Sequence, residues 1–167
     1  MRVVSYSTMY SNEKKEYTNK LALLLIDYFK ERHEEETIAN YHKAITMIDT
    51  LLLNKYLIYL VVDDDKNVLG FLIMSLSNQF GMTKTFLVVD YMYTVKEYRG
   101  TKVTRLLFIT VGKCSNDLQL DVLGTTLEGS SNVHNSERIN GEHVGYLFRY
   151  RREDFENKYK KLMKGYR

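Results

Sequence analysis

"TVKEYRGTKVTRLL", residues 94–107, decides how the chain is to be read. An apolar, aromatic run stops, an Arg-Gly pair follows, and residues at helical spacing begin. A strand that ends in a glycine-containing turn and feeds a helix offers backbone N–H groups that the first helical turn leaves unpaired. The helix dipole makes that end electropositive. A phosphate or diphosphate suits such a place. Arg99 and Lys102 add positive charge, and Thr101 and Thr104 add hydroxyl donors.

Upstream of this turn, "TFLVVDYMYTV" (85–95) is apolar on both faces, as a strand inside a sheet is. Downstream, Val103, Leu106, Leu107, Val111 and Cys114 share one helical face, "SND" (115–117) breaks the helix, and "LQLDVLGTT" (118–126) is another strand. If that strand pairs with 85–95 across the helix, the unit is β-α-β with a parallel pair and a right-handed crossover.

Working outward, residues 2–6 form a short strand and 12–32 a helix with Tyr17, Leu21, Leu24, Leu25 and Tyr28 on its buried face. A second helix covers 36–54, with Ile38, Tyr41, Ile45, Ile48 and Leu52 inward. "YLIYLVVDDDKNVLGFLIMSL" (56–76) is a hairpin about "DDDKN", since Asp and Asn bond nearby backbone groups in tight turns. "NQFGMTK" (78–84) is a second turn. Residues 130–143 read as a short helix with loop ends, 144–151 as a last strand and 153–163 as a closing helix, with no final hairpin. The fold class is α/β (α+β): a mixed, mostly antiparallel sheet with two N-terminal helices, a β-α-β unit and a C-terminal helix, in a single domain over 1–167.

The totals agree with a globular chain. Its 167 residues are 44% hydrophobic and 27% charged, enough to bury a core. No apolar run approaches the roughly 18 to 20 residues of a membrane span, and the N-terminus has no apolar core of a signal peptide. One cysteine excludes an internal disulfide. The expected location is cytoplasmic. The net charge of +3 neither demands nor excludes nucleic acid; the basic C-terminal stretch reads as a solvated helix face rather than a nucleic-acid contact. The four histidines lack metal-ligand spacing, so no metal is expected.

The element order and the "YRGTKVTRLL" spacing resemble the Gcn5-related N-acetyltransferases. That family's diphosphate loop is written R/Q-x-x-G-x-G/A. Its leading position falls on Arg99, and its two small positions fall on Lys102 and Thr104. Gly145-Tyr146 stands where the family opens a strand with Gly-Phe, with Asn132 and Asn135 upstream. The tyrosine that many members use as general acid is replaced at the corresponding position by Gly141.

The resemblance implies acetyl-CoA as donor and a primary amine as acceptor, and the missing last hairpin, by leaving the groove open, favours a protein or peptide amine over a small drug-like one. It places the donor against Tyr93, Thr94, Val95, Arg99, Gly100, Thr101, Lys102, Val103, Thr104 and Asn135. Asp90 takes the place of a carboxylate base, and Tyr146 or Tyr93 would protonate the leaving thiolate. A catalytically weak, regulatory protein of the same fold is the alternative. A strand near 145–152, if it lies at the sheet's edge, could pair with a second copy.

Overall fold

The computed structural model describes residues 1–32, 38, 40–78, 84–125, 142–144, 147–150, 152, 153, 157 and 160. The chain divides into two compact units, each assembled from separate stretches: Met1–Ile73 with Tyr91–Leu107, and Met74–Asp90 with Phe108–Arg167.

The first unit holds β1 (Arg2–Ser5), α1 (Ser11–Glu31), α2 (Tyr41–Leu53) and β2 (Leu57–Val62), with the first part of β3 (Val68–Ser77), the last part of β4 (Phe86–Thr94) and the opening turns of α3 (Lys102–Leu118). Its strand order is β1-β2-β3-β4. β1 and β2 are antiparallel, from Arg2 opposite Val62 to Ser5 opposite Tyr59. On α1 the repeat Tyr17, Leu21, Leu24, Leu25, Tyr28 is buried throughout, whereas Leu23 on the far side is 56% exposed. A helix with one apolar stripe gains its stability by laying that stripe on a core. Here the core includes Ile48, Ile58, Leu60, Phe71 and Ile73.

The second helix starts later than the periodicity predicts. Asn40 is extended and its side chain accepts the Lys43 N–H at 3.1 Å, an N-cap that fixes the start at Tyr41. Tyr41, expected inward, is 38% exposed, and its hydroxyl donates to the Asn19 side-chain oxygen. The "DDDKN" turn forms as expected. Asp63 accepts the Asn67 N–H at 2.7 Å and its side-chain amide at 2.9 Å, and Lys66 takes a left-handed φ of 62°.

The second unit has strand order β3-β4-β5-β7-β6 with β5 (Val122–Thr125), β6 (Glu142–Val144) and β7 (Leu147–Tyr150). β4 and β5 are parallel, Leu87 opposite Val122 through Val89 opposite Gly124, so the expected parallel pair is present. The other pairings in this unit with known register, β5–β7 and β6–β7, are antiparallel. Phe86, Val88 and Leu123 form one core cluster within it.

Three expectations are corrected here. "SND" does not end α3. Ser115 Oγ donates to the Leu120 carbonyl at 2.7 Å, the Leu120 N–H returns to Ser115 O at 3.0 Å, and Gln119 stops the helix in a left-handed conformation (φ 57°). The single last strand at 144–151 is instead a hairpin, β6 and β7. Its two strands pair antiparallel, from Glu142 opposite Arg149 to Val144 opposite Leu147. β7 therefore has a partner on each side, and β6 rather than β7 lies at the edge. Most of the helix expected over 130–143 lies outside the described residues, and residues 142 and 143 are strand. Arg152, Glu153, Asn157 and Lys160 are helical, as the closing helix requires, with the Arg152 N–H on Asp121 Oδ1 at 3.0 Å.

Candidate active site

The Arg-Gly turn is built by short-range bonds. After Thr94 ends β4, the Val95 N–H donates to Leu69 O at 3.0 Å, and Lys96–Tyr98 makes one 3-10 turn. Gly100 has φ +72°, a conformation that side-chain-bearing residues rarely adopt. A methyl group at Gly100 would meet nothing within 4 Å, so this side of the turn is open. Thr101 is the N-cap of α3: its Oγ1 accepts the Val103 N–H at 3.3 Å and itself donates to Tyr98 O at 2.5 Å. The Arg99 and Thr101 N–H groups bond back to Lys96 O and Tyr98 O, both at 3.3 Å. Three of the turn's N–H groups, those of Arg99, Thr101 and Val103, are thus used inside it, and the open side of the turn lies at Gly100. Thr104 points its hydroxyl to Thr94 Oγ1 at 3.2 Å, toward β4. Lys102 is exposed on the first turn of α3.

Arg99 is held by three groups. Its Nε donates to Thr94 O at 3.1 Å, its Nη2 donates to Glu31 Oε2, and its guanidinium carbon lies 5.4 Å from the Tyr93 ring centre. The other Glu31 oxygen accepts the Tyr93 hydroxyl at 2.9 Å. Glu31, the last residue of α1, thus bridges the strand end and the turn. Burial works to raise the Glu31 pKa, but hydrogen bonds from Arg99 and Tyr93 and the charges of Arg99 and Lys96 outweigh it and hold the carboxyl below its ordinary value. The Tyr93 hydroxyl is pushed up to about 12, first by burial and then by its bond to Glu31 and the charge there. It keeps its proton at neutral pH. Tyr93 packs edge-on to Tyr28 at 6.0 Å and tilted on Phe71 at 5.7 Å, which fixes the ring beneath Arg99.

In the second unit, Asp90 lies on β4 four residues before Thr94. Its Oδ2 is buried and has no hydrogen-bond partner among the described residues. Burial raises its pKa, and hydrogen bonds from Ser75 only partly oppose that. A carboxylate with a bare, desolvated oxygen binds a proton more readily than a solvated one, as a general base must.

The first unit therefore brings together Tyr93, Thr94, Arg99, Gly100, Thr101, Lys102, Val103 and Thr104 of the expected donor-binding set. Val95 is tied to Leu69, and Asp90 belongs to the second unit. Asn135, Tyr146 and the Gly141 position lie outside the described residues. Glu31 was not foreseen. It is 68 positions from Arg99, and no local pattern links the two.

A mixed sheet with two N-terminal helices and a parallel β-α-β step entered through an Arg-Gly turn is the fold of the Gcn5-related N-acetyltransferases. Several of the solved structures it resembles are described as acetyltransferases. One is described as a probable acetyltransferase (18% identity, TM-score 0.67, covering 86% of this chain and 91% of that one). Another is an acetyltransferase of the GNAT family from Staphylococcus aureus (15%, 0.55, 90% and 97%). A third is an aminoglycoside 6'-N-acetyltransferase from Acinetobacter haemolyticus (13%, 0.63, 86% and 92%). No protein-family model and no curated protein matches the chain.

Proposed function

We propose that the protein is an N-acetyltransferase that moves the acetyl group of acetyl-CoA to a primary amine. The observation that carries this reading is the turn itself: an open left-handed glycine flanked by Arg99 and Lys102, at the junction of β4 and α3, in an acetyltransferase fold. The donor's diphosphate suits the Gly100 N–H and these two cations. Thr104, in the place of a small residue, does not obstruct that reading, because its hydroxyl is turned to Thr94.

The reaction asks three things of the chain. The acceptor arrives as an ammonium and must lose a proton; Asp90, whose pKa is raised by burial, takes it directly or through water. The free amine attacks the thioester carbon, the C–N bond forms and the C–S bond breaks. A backbone N–H near Tyr93 or Thr94 steadies the oxyanion that develops. The departing thiolate takes up a proton. Tyr146 and Tyr93 are the candidate donors, and Tyr93, whose hydroxyl already donates to Glu31 and is pushed up to about 12, is held as a weak acid. Asn135 remains the candidate for the donor's amide-bearing arm.

A protein or peptide acceptor was favoured on the absence of a final hairpin. With β6 and β7 present that reason falls away, and the acceptor class proposed is a primary amine without further restriction. Calorimetry with CoA, and thiol release from acetyl-CoA over a panel of amines and peptides, test the reading. The wild type binds CoA and Arg99→Glu does not. No heat with CoA or acetyl-CoA at high micromolar concentration refutes it.

A further inference from the structure

The cation expected to meet the diphosphate already has an anion. Glu31 Oε2 accepts from Arg99 Nη2, and the two side chains are 40% and 45% exposed. A pair so open to water is screened and weak, worth about 0.2–1 kcal/mol. The rest of Arg99 is anchored independently of Glu31: Nε is on the Thr94 carbonyl and the plane rests near the Tyr93 ring. Glu31 likewise has a second anchor, the Tyr93 hydroxyl. Either partner can lose the other without losing its own position.

We propose that Glu31 is a built-in competitor for the donor: its carboxylate occupies and aims Arg99 in the free protein, and the donor's diphosphate displaces it. This rests on the acetyl-CoA reading above. A diphosphate carries more charge than one carboxylate and can accept from the guanidinium with several oxygens, so it wins the exchange. The carboxylate stays on Tyr93. Glu31 is thereby a positioning residue that also sets donor affinity lower than the turn would otherwise give.

The test is calorimetric titration of CoA into the full chain and its variants. Glu31→Gln keeps an acceptor for Tyr93 and removes the charge, and it tightens CoA binding about 1.4- to fivefold, the range set by an exposed ion pair. In an Arg99→Gln background the same substitution changes CoA affinity by no measurable factor, since nothing is left to compete for. Asp27→Asn, an exposed acidic site on the same helix, controls for simple repulsion of a polyanion, which persists whether or not Arg99 is present. Glu31→Asp supplies a second variant: it keeps the charge, draws it back by one methylene and also tightens binding. Unchanged or weaker binding in Glu31→Gln and Glu31→Asp overturns the proposal, as does tightening that survives in Arg99→Gln; the acetyl-CoA reading then stands. If neither the wild type nor Glu31→Gln binds CoA, both fall.

Discussion

Gly70 gives the sharpest quantitative expectation. A methyl group built on it lies 2.7 Å from the Tyr93 carbonyl oxygen, 3.2 Å from Val103 Cγ1 and 3.4 Å from Leu107 Cδ1. The two side-chain contacts can give by small rotations. The carbonyl belongs to β4 and cannot, so Gly70→Ala must push strand against strand. Crowding of this kind costs about 1–3 kcal/mol. Against it, alanine narrows the unfolded ensemble and returns about 0.4–1 kcal/mol. The net spans from near zero to a loss of about 2.6 kcal/mol, and its middle is a loss of roughly 1–2 kcal/mol. For a chain of this size that lowers the melting temperature by about 2–8 °C, read by calorimetry or by circular dichroism. Adding Val103→Ala removes the 3.2 Å contact and leaves the 2.7 Å one, so the double variant melts no higher than Gly70→Ala. A Gly70→Ala protein that melts at or above the wild type refutes the close approach, and recovery by Val103→Ala refutes the carbonyl as its cause.

Asp90→Asn lowers kcat/KM with acetyl-CoA by a factor on the order of 10² to 10⁴, the usual contribution of a positioned base. It also shifts stability with pH. The folded Asp90 pKa lies above its unfolded value, so ionisation opposes folding. Below the ordinary carboxylate pKa the burial costs nothing; as pH rises from there through the raised value the wild type loses stability, and the loss is constant above it. Asp90→Asn lacks this slope, which pH-dependent melting curves reveal; equal slopes in the two proteins contradict the assignment. Gln119→Gly relieves the left-handed strain at the end of α3 and raises the melting temperature by about 1–4 °C. No gain means that the Gln119 side-chain bond to Asn116 O, 2.6 Å long, offsets that strain.

What could be read in advance follows the range of the interactions. The inward face of α1 and the face of α3 carrying Val103, Leu106, Leu107, Val111 and Cys114 are periodic within a few residues, and both are buried as expected except at Leu106, which is half-buried. The parallel β4–β5 step was legible because a helix of the right length separates two apolar runs. Local polarity misled at 115–117, where a break was expected: Ser115 is fully buried and serves as a helix-end ligand, a use that composition does not reveal. The short apolar run at 144–151 reads as one strand in sequence, and the antiparallel pairing of β6 with β7 is what divides it. In the site, residues 93–104 were visible as one segment. Glu31 was not, because the bond that defines its role joins positions brought together only by the packing of α1 against β4.

Neither unit is continuous in the chain, and this constrains its synthesis. The first unit needs Tyr91–Leu107 before it can close, so a nascent chain that has reached only Ser77 carries β3 without β4. Seven consecutive β3 residues, Val68 to Met74, are buried once the fold is complete. Until β4 emerges they present a bare apolar ribbon with an unpaired backbone edge, the kind of surface on which partly made chains stick to one another. Truncations ending between residues 78 and 90 therefore accumulate as insoluble material, and slow passage of the ribosome through that interval prolongs the exposure.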